Sequence, residues 1–543
     1  MRTTGRQLAL ASALGAVAFG AALWAVGLAR PSEAACDDSA LCQPLTTRLT
    51  PEGYLRAASL DLRGTIPTVT EYDGVESHED VEARIDEWLA DEAFARRVAR
   101  RHRELLWPNI ENQRQLITFR RALGTSRADG QSLWNLTTRR QRELYRGMAV
   151  PCLNEPATFD DMGRPVTRMV DGAAREGYVM VEPYWAPGTQ IRVCAFDAQE
   201  AAVGLRGTDC AGGASVNDPG CGCGPNLQWC APNGVELEIL REFNRDVEER
   251  VVAHVLAGAD GSRDEPYYEL FTSTRGFVSG PLVHYWTHLT AVHQGITLEP
   301  VAMDVERLPD LDYTDRSMVP VELPEVHAGV LTTPVYLLRF QTNRARANRF
   351  YDAFLCEPFQ PPEGGIAVED EVAALQPDVQ QRPGCNYCHA VLEPAAAHWG
   401  RWTQQGAGYL DPVAYPEYRE ECADCGRGLE VCSEDCRFNY ITRALSPEEE
   451  PYLGALRAFE FLRDEHRPNV EAGPSALVMA GVADGRFTGC SVRRTVTWLF
   501  GREPLEREQE LVAELTREFL DGEFSYRELV RAIVTHETYR RAL

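Results

Sequence analysis

Apolar residues recur at spacings of three and four along several stretches of this chain, and that period predicts a mainly α protein. In VEARIDEWLADEAFARRVARRHRELLW, Ile85, Leu89, Phe94, Val98 and Leu105 or Leu106 share one stripe, and Pro67 upstream marks a turn from an earlier helix in RAASLDLRGTIPTVTEYD. VELEILREFNRDVEERVVAHVLAG places Leu237, Leu240, Phe243, Val247 and Val251 on a second stripe. GCSVRRTVTWLFG aligns Val492, Val496 and Leu499 ahead of a helix-ending Gly501. Leu511, Leu515 and Phe519 form a last stripe, which restarts at Leu529 and Ile533. Between residues 109 and 234 the pattern breaks down into Gly, Pro and Cys, with only short strand-like pieces, GYVMVEPYW and QIRVCAF.

A chain of 543 residues is too long for one hydrophobic core. The expected division is an N-terminal helical domain at 50–108, a loop-rich, disulfide-tied insertion at 109–234, a helical module at 235–325, a small module around the motif CNYCH at 326–412, a Cys-rich knot at 413–440 and a C-terminal helical domain at 441–543.

The net charge of −26 offers no cationic surface to phosphate, so nucleic acid is excluded as an expected partner. All 55 basic residues are arginine. With no lysine there is no side-chain Schiff base, lysine base or lysine metal ligand.

Residues 1–35 read as an export signal: Arg2 and Arg6 precede an uncharged apolar run from Leu8 to Ala29, and small residues follow around Ala34 to Cys36. The run is also long enough to span a bilayer, so an uncleaved anchor is the alternative. Either way the folded part is expected outside the cytoplasm, periplasmic or secreted. There, thiols pair unless a metal or cofactor claims them. Cys36 with Cys42, the group Cys210, Cys221, Cys223 and Cys230, and the knot Cys422, Cys425, Cys432 and Cys436 are therefore expected as disulfides, with zinc as the alternative for the four-cysteine groups.

The remaining chemistry lies in GCNYCHAVLEP. Covalent haem c needs two thiols about one helical turn apart, and the residue after the second thiol then meets the iron. Cys385 and Cys388 fit the first requirement and His389 the second, which predicts one haem c with His389 as its iron ligand. The competing readings are a C-x-x-C disulfide beside a bystander histidine, a thioredoxin-like redox pair without the βαβ pattern such a pair needs, and a zinc site shared with Cys422 and Cys425. The sixth iron position stays open: His398 and Met479 are weak candidates downstream, and Met303, Met318 and His327 lie upstream. An occupied sixth position would make an electron carrier, and an open one a peroxidase-like oxidoreductase. No G-x-S-x-G, H-E-x-x-H or phosphate-binding glycine loop is present. A third reading is a haemless, disulfide-braced binding or scaffold protein.

Around this motif the chain resembles the planctomycete-type multidomain cytochrome-like proteins, a family of secreted domains of unknown function found in planctomycetes and myxobacteria. SLDLRGTIPTVTEYD and DEWLADEAFARRVARRHRELLW are similar to its opening helical domain, PYYELFTSTRGFVSGPLVHYW to its next module, and GVLTTP with NRFYDAFLCEPFQPPEG to its approach to the haem motif. CNYCHAVLEPAAAHWGRW matches that motif at Cys385, Cys388, His389, Pro394, Gly400, Arg401 and Trp402. CSVRRTVTWLFGREP and YRELVRAIVTHETYR are similar to its C-terminal domain. The resemblance covers about two thirds of the chain and omits the insertion and the knot. Where the family usually reads methionine-aspartate, this chain has Leu392 and Glu393, so no role for that methionine carries over. The resemblance implies a periplasmic c-type cytochrome and supplies no substrate. The acidic surface implies a redox partner with a basic face.

Overall fold

A computed structural model describes residues 48–106, 121–128, 130–290, 298, 300–360, 378–445, 447–459 and 463–541. The export segment and the Cys36 and Cys42 pair lie outside them. Among the described residues about 49% are helical, with 16 helices, and a five-stranded sheet lies beside them, so "mainly α" describes the molecule only in part. Among the described residues no helix is long and apolar enough to cross a membrane.

Helices α1 (Pro51–Leu62), α2 (Val69–Tyr72), α3 (His78–Leu89) and α4 (Glu92–Leu106) open the described chain. The predicted stripe buries Ile85, Leu89, Phe94, Val98 and Leu106, but two helices share it. The break falls at Asp91, whose carboxylate accepts from the Ala93 amide and whose carbonyl accepts from Phe94, the geometry of a helix start. Thr68 and Ser77 start α2 and α3 with reciprocal Thr/Glu71 and Ser/Asp80 caps.

The insertion holds strands β1 (Ala122–Ala128) and β2 (Gln131–Leu136), helix α5 (Arg139–Arg146), the hairpin β3 (Arg168–Val170) and β4 (Ala173–Arg175), then β5 (Tyr178–Val181), β6 (Ile191–Cys194) and β7 (Ala231–Pro232). The sheet order is β5-β6-β2-β1-β7. The two strand-like pieces of the sequence pair antiparallel as β5 and β6, with Val179 opposite Val193. β6 joins β2 in parallel and β7 joins β1 in parallel. Three disulfides tie this region: Cys152–Cys194, Cys210–Cys221 and Cys223–Cys230. Its centre is ionic. Arg146 on α5 bonds Glu176 through Nε at 3.0 Å and approaches Asp197 at 3.5 Å, all three side chains sealed from solvent.

Helix α6 (Val235–Leu256) returns the chain to the helical body. Its buried face runs through Val235, Ile239, Phe243, Val247, Val251 and Val255, and Leu237, expected on the apolar stripe, is 43% exposed. Asp246 and Arg250, at i and i+4 on that buried face, pair at 2.9 Å, and Asp246 also accepts from the Phe277 amide of strand β8 (Arg275–Val278). Helix α7 (Gly280–His284) runs into a widened π turn at Tyr285–Leu289, and β9 (Val319–Glu322) pairs with β8. Helices α8 (Pro334–Arg339), α9 (Asn343–Phe350) and α10 (Asn386–Ala397) form the module around the motif. The short helices α11 (Glu420–Gly426) and α12 (Glu434–Asn439) hold the knot, whose disulfides nest as Cys422–Cys436 around Cys425–Cys432.

The chain closes with α13 (Arg467–Ala483), α14 (Arg486–Phe500), α15 (Gln509–Asp521) and α16 (Tyr526–Thr535). Cys356–Cys490 ties the approach to the motif onto α14. One continuous apolar cluster extends from Tyr54 and Leu55 through Phe271, Trp399 and Phe487 to Tyr539. The last helices seat against the first: Tyr54 donates to the Val534 carbonyl at 2.9 Å, Tyr539 donates to Asp61 at 2.7 Å, and the Leu49 amide bonds the Arg540 carbonyl at 3.0 Å.

Candidate functional site

Helix α10 starts at the motif. Cys385 is its N-cap, and Cys388 and His389 lie in its first turn. The approach is a turn in which Asp378 accepts from the Gln380 amide at 2.9 Å and pairs with Arg463 at 3.0 Å, fixing the chain just before Cys385. Residues 361–377 lie outside the described residues. A helix rises about 1.5 Å per residue, so the two thiols are about one turn apart and His389 follows Cys385 onto one face at i+4.

The thiols are half-buried and not bonded to each other or to any other cysteine. The twelve other cysteines among the described residues all lie in disulfides. Zinc shared with Cys422 and Cys425 is therefore excluded, because both of those sulfurs are consumed in the knot. Disulfides in these numbers fit an oxidising compartment. Cys385 and Cys388 are thus the two cysteines among the described residues that stand outside disulfides.

His389 is held from behind by a buried acid. Its Nδ1 lies 2.5 Å from Glu393 Oε1, one turn further along the same face. Glu393 is only 1% exposed, and its charge is met by Arg344 on α9 at 2.6 and 3.1 Å, a two-pronged contact. A proton on Nδ1 facing the carboxylate leaves the lone pair on Nε2, the nitrogen that a metal takes. Tyr387 and Val391 beside the thiols are 67% and 46% exposed, an apolar rim at the helix start.

Behind the motif the helix is locked into the body. His398, the C-cap, donates from Nδ1 to the Gly473 carbonyl at 2.8 Å, and Asn469 donates to the Pro394 carbonyl at 3.0 Å, so α10 and α13 run in the same sense. Gly400 is required there, since a Cβ would meet the Ala397 carbonyl and a Val470 methyl, each at 2.9 Å. Arg401 is buried against Glu471 and the Tyr415 carbonyl, both at 2.8 Å. Arg346 on α9 is fully buried and donates to the carbonyls of Leu337, Phe340, Trp402, Thr403 and Gly406 and to Asn343. Burial pushes its guanidinium down to about 9.

These contacts place the sixth-ligand candidates. His398 lies nine residues from His389 on the same helix, about 13 Å along its axis, and cannot face the same iron. Met479 lies six residues beyond Gly473, further still from the start of α10, and is 43% exposed. His327 is buried, with Nε2 at 2.6 Å from the Ala302 carbonyl and Nδ1 at 3.2 Å from Thr332, so both nitrogens serve structure. Glu393 and Arg344 escaped sequence reasoning as functional residues. The i, i+4 spacing of His389 and Glu393 was the available sign, whereas nothing local links Arg344 to it.

The chain matches no family model, no curated protein and no solved structure.

Proposed function

We propose that this is an exported c-type cytochrome-like protein of the planctomycete-type multidomain family, holding one haem c on Cys385 and Cys388 with His389 as iron ligand, and that it passes single electrons to and from a partner. The observation that carries this reading is the unpaired C-x-x-C thiols at the start of α10, beside a histidine whose Nδ1 is already committed to a buried carboxylate. Haem bound there supplies a one-electron iron couple. The chain's own residues do the rest. Glu393 keeps the proton on Nδ1 and fixes the ring, Arg344 balances the buried charge, and Tyr387 and Val391 offer apolar surface beside the thiols. The net charge of −26 favours a partner with a basic face, with association weakening as salt rises.

The second reading, a haem-dependent oxidoreductase with an open sixth position, draws on the same acid. A carboxylate on Nδ1 makes the imidazole a stronger donor and favours oxidised iron, and His398 and Met479 both lie away from His389.

The deciding experiment is an oxidised-minus-reduced visible spectrum of the full chain exported from a host with haem c maturation, with Cys385→Ala and Cys388→Ala alongside. A haem band that survives denaturation in the parent and changes in each variant supports attachment at the motif. A colourless parent overturns the proposal and leaves the scaffold reading. The spin state separates carrier from enzyme, and Glu393→Gln is expected to raise the reduction potential.

A further inference from the structure

The widened turn after α7 holds a second arrangement that the haem reading does not use. His284 and His288 are one turn apart on the same helix, and their ring centroids are 5.0 Å apart. The π turn spans Tyr285–Leu289, with the Thr290 amide bonding the Tyr285 carbonyl, and such one-turn bulges recur at functional sites.

His284 lies at the junction of the helical body and the insertion. Tyr184 stacks on its ring at 3.8 Å and Tyr313 meets it edge-on at 5.4 Å. One ring nitrogen bonds the backbone of Gln228. The other, Nε2, is buried with no hydrogen-bond partner. An unmet acceptor costs about 1–3 kcal/mol in a folded protein, so it calls for an account. The neighbouring phenols do not meet it: Tyr184 donates to the Cys230 carbonyl at 3.1 Å and Tyr313 donates to Glu238. His288 is half-buried, and its neighbour Thr287 is exposed.

The ring separation is what a shared ion requires. With metal–nitrogen bonds of about 2.0–2.1 Å, each ring centroid lies about 3.2 Å from the ion, and ligand angles of about 90–109° then set the centroids about 4.5–5.2 Å apart. We infer that His284 and His288 form a two-imidazole site for a nitrogen-preferring first-row transition metal dication, Cu(II) above all. Imidazole suits copper and zinc, and the affinity order places Cu(II) highest. Among the described residues no third histidine, cysteine or carboxylate completes a cluster with the pair. The backbone bond from His284 to Gln228 fixes its tautomer, as supporting partners of metal-bound histidines do.

The test is titration of the full chain with Cu(II) alone, followed by calorimetry and electron paramagnetic resonance. Saturable one-to-one binding with nitrogen hyperfine structure is expected, weakened at least about tenfold in His288→Ala and in His288→Gln. It is expected to persist in Cys385→Ser/Cys388→Ser, which removes copper binding at the motif thiols. His288 makes the safer variant because it is only half-buried, and the polar glutamine preserves volume where alanine fails to fold. No saturable binding, binding that the His288 variants leave unchanged, or binding that disappears with the two cysteines overturns the inference.

Discussion

The insertion and the helical body bury their apolar side chains in different ways. Between Leu123 and Cys230 there are three small clusters, and each contains a disulfide: Leu123, Leu136 and Val193 with Cys223–Cys230; Trp229 with Cys210–Cys221; Leu133 with Cys152–Cys194. The helical body uses one cluster that extends from Tyr54 to Tyr539. Small cores leave little surplus over chain entropy, and covalent ties that restrict the unfolded chain make up the difference. In the body Cys385 and Cys388 are left out of any disulfide.

The sharpest way to break this contrast is at a buried polar staple of the body. Arg346→Met removes the donor for five backbone carbonyls in the frame of α8, α9 and the turn after α10. At about 1–3 kcal/mol per stranded buried acceptor, a loss above about 5 kcal/mol is expected, read as loss of cooperative thermal unfolding and of exported yield.

Next in size, Cys152→Ala/Cys194→Ala opens a 42-residue tie and is expected to cost about 4 kcal/mol. The loss should be local, with new protease cuts within residues 122–232 while far-ultraviolet helicity persists. Global unfolding at the same midpoint would show that the two regions share one cooperative core.

Acid should act on the two regions with opposite sign. In the body, burial pushes His102 and His327 down to about 4. Both are neutral in the fold, so their contribution is complete above about pH 6.5 and is lost as pH falls from there to about 4, at most about 3 kcal/mol each. In the insertion, burial pushes Glu176 and Asp197 up, with two carboxylates sharing the Arg146 charge. Their folded forms take protons first, so that region gains as pH falls through their raised values. Hydrogen exchange between pH 7 and 4, corrected for intrinsic rates, should show the body loosening first. Uniform loosening would refute the difference.

The smallest expected effect calibrates the body's core. Leu237→Ser changes a 43% exposed side chain and should shift stability by less than about 0.5 kcal/mol, whereas Ile239→Ala two residues on should cost about 2–5 kcal/mol in chemical denaturation.

That pair of residues also shows what the sequence made legible. Spacing located α6 but admitted Leu237 to the stripe and missed Ile239, because two apolar phases overlap in VELEIL. The stripe over α3 and α4 was readable, and the Asp91 break was not, since a cap acts within one apolar period. In the insertion β5 and β6 announced themselves, but β1 pairs in parallel with β7, over a hundred residues away, and no local pattern carries such a partner. At the site, CNYCH was legible as adjacent chemistry. Arg344 belongs to it only through packing of α9 on α10, and the spacing of His284 and His288 alone carries no motif.

The contacts between α1 and α16 have a temporal consequence. Tyr54 and Asp61 find Val534 and Tyr539 more than 470 residues away, so a chain delivered N-terminus first holds its opening helices with their partners still to come. Closure of the body thus waits until α16 has been made. Under the proposed function, that order leaves the CNYCH segment accessible to haem attachment before the final helices seat.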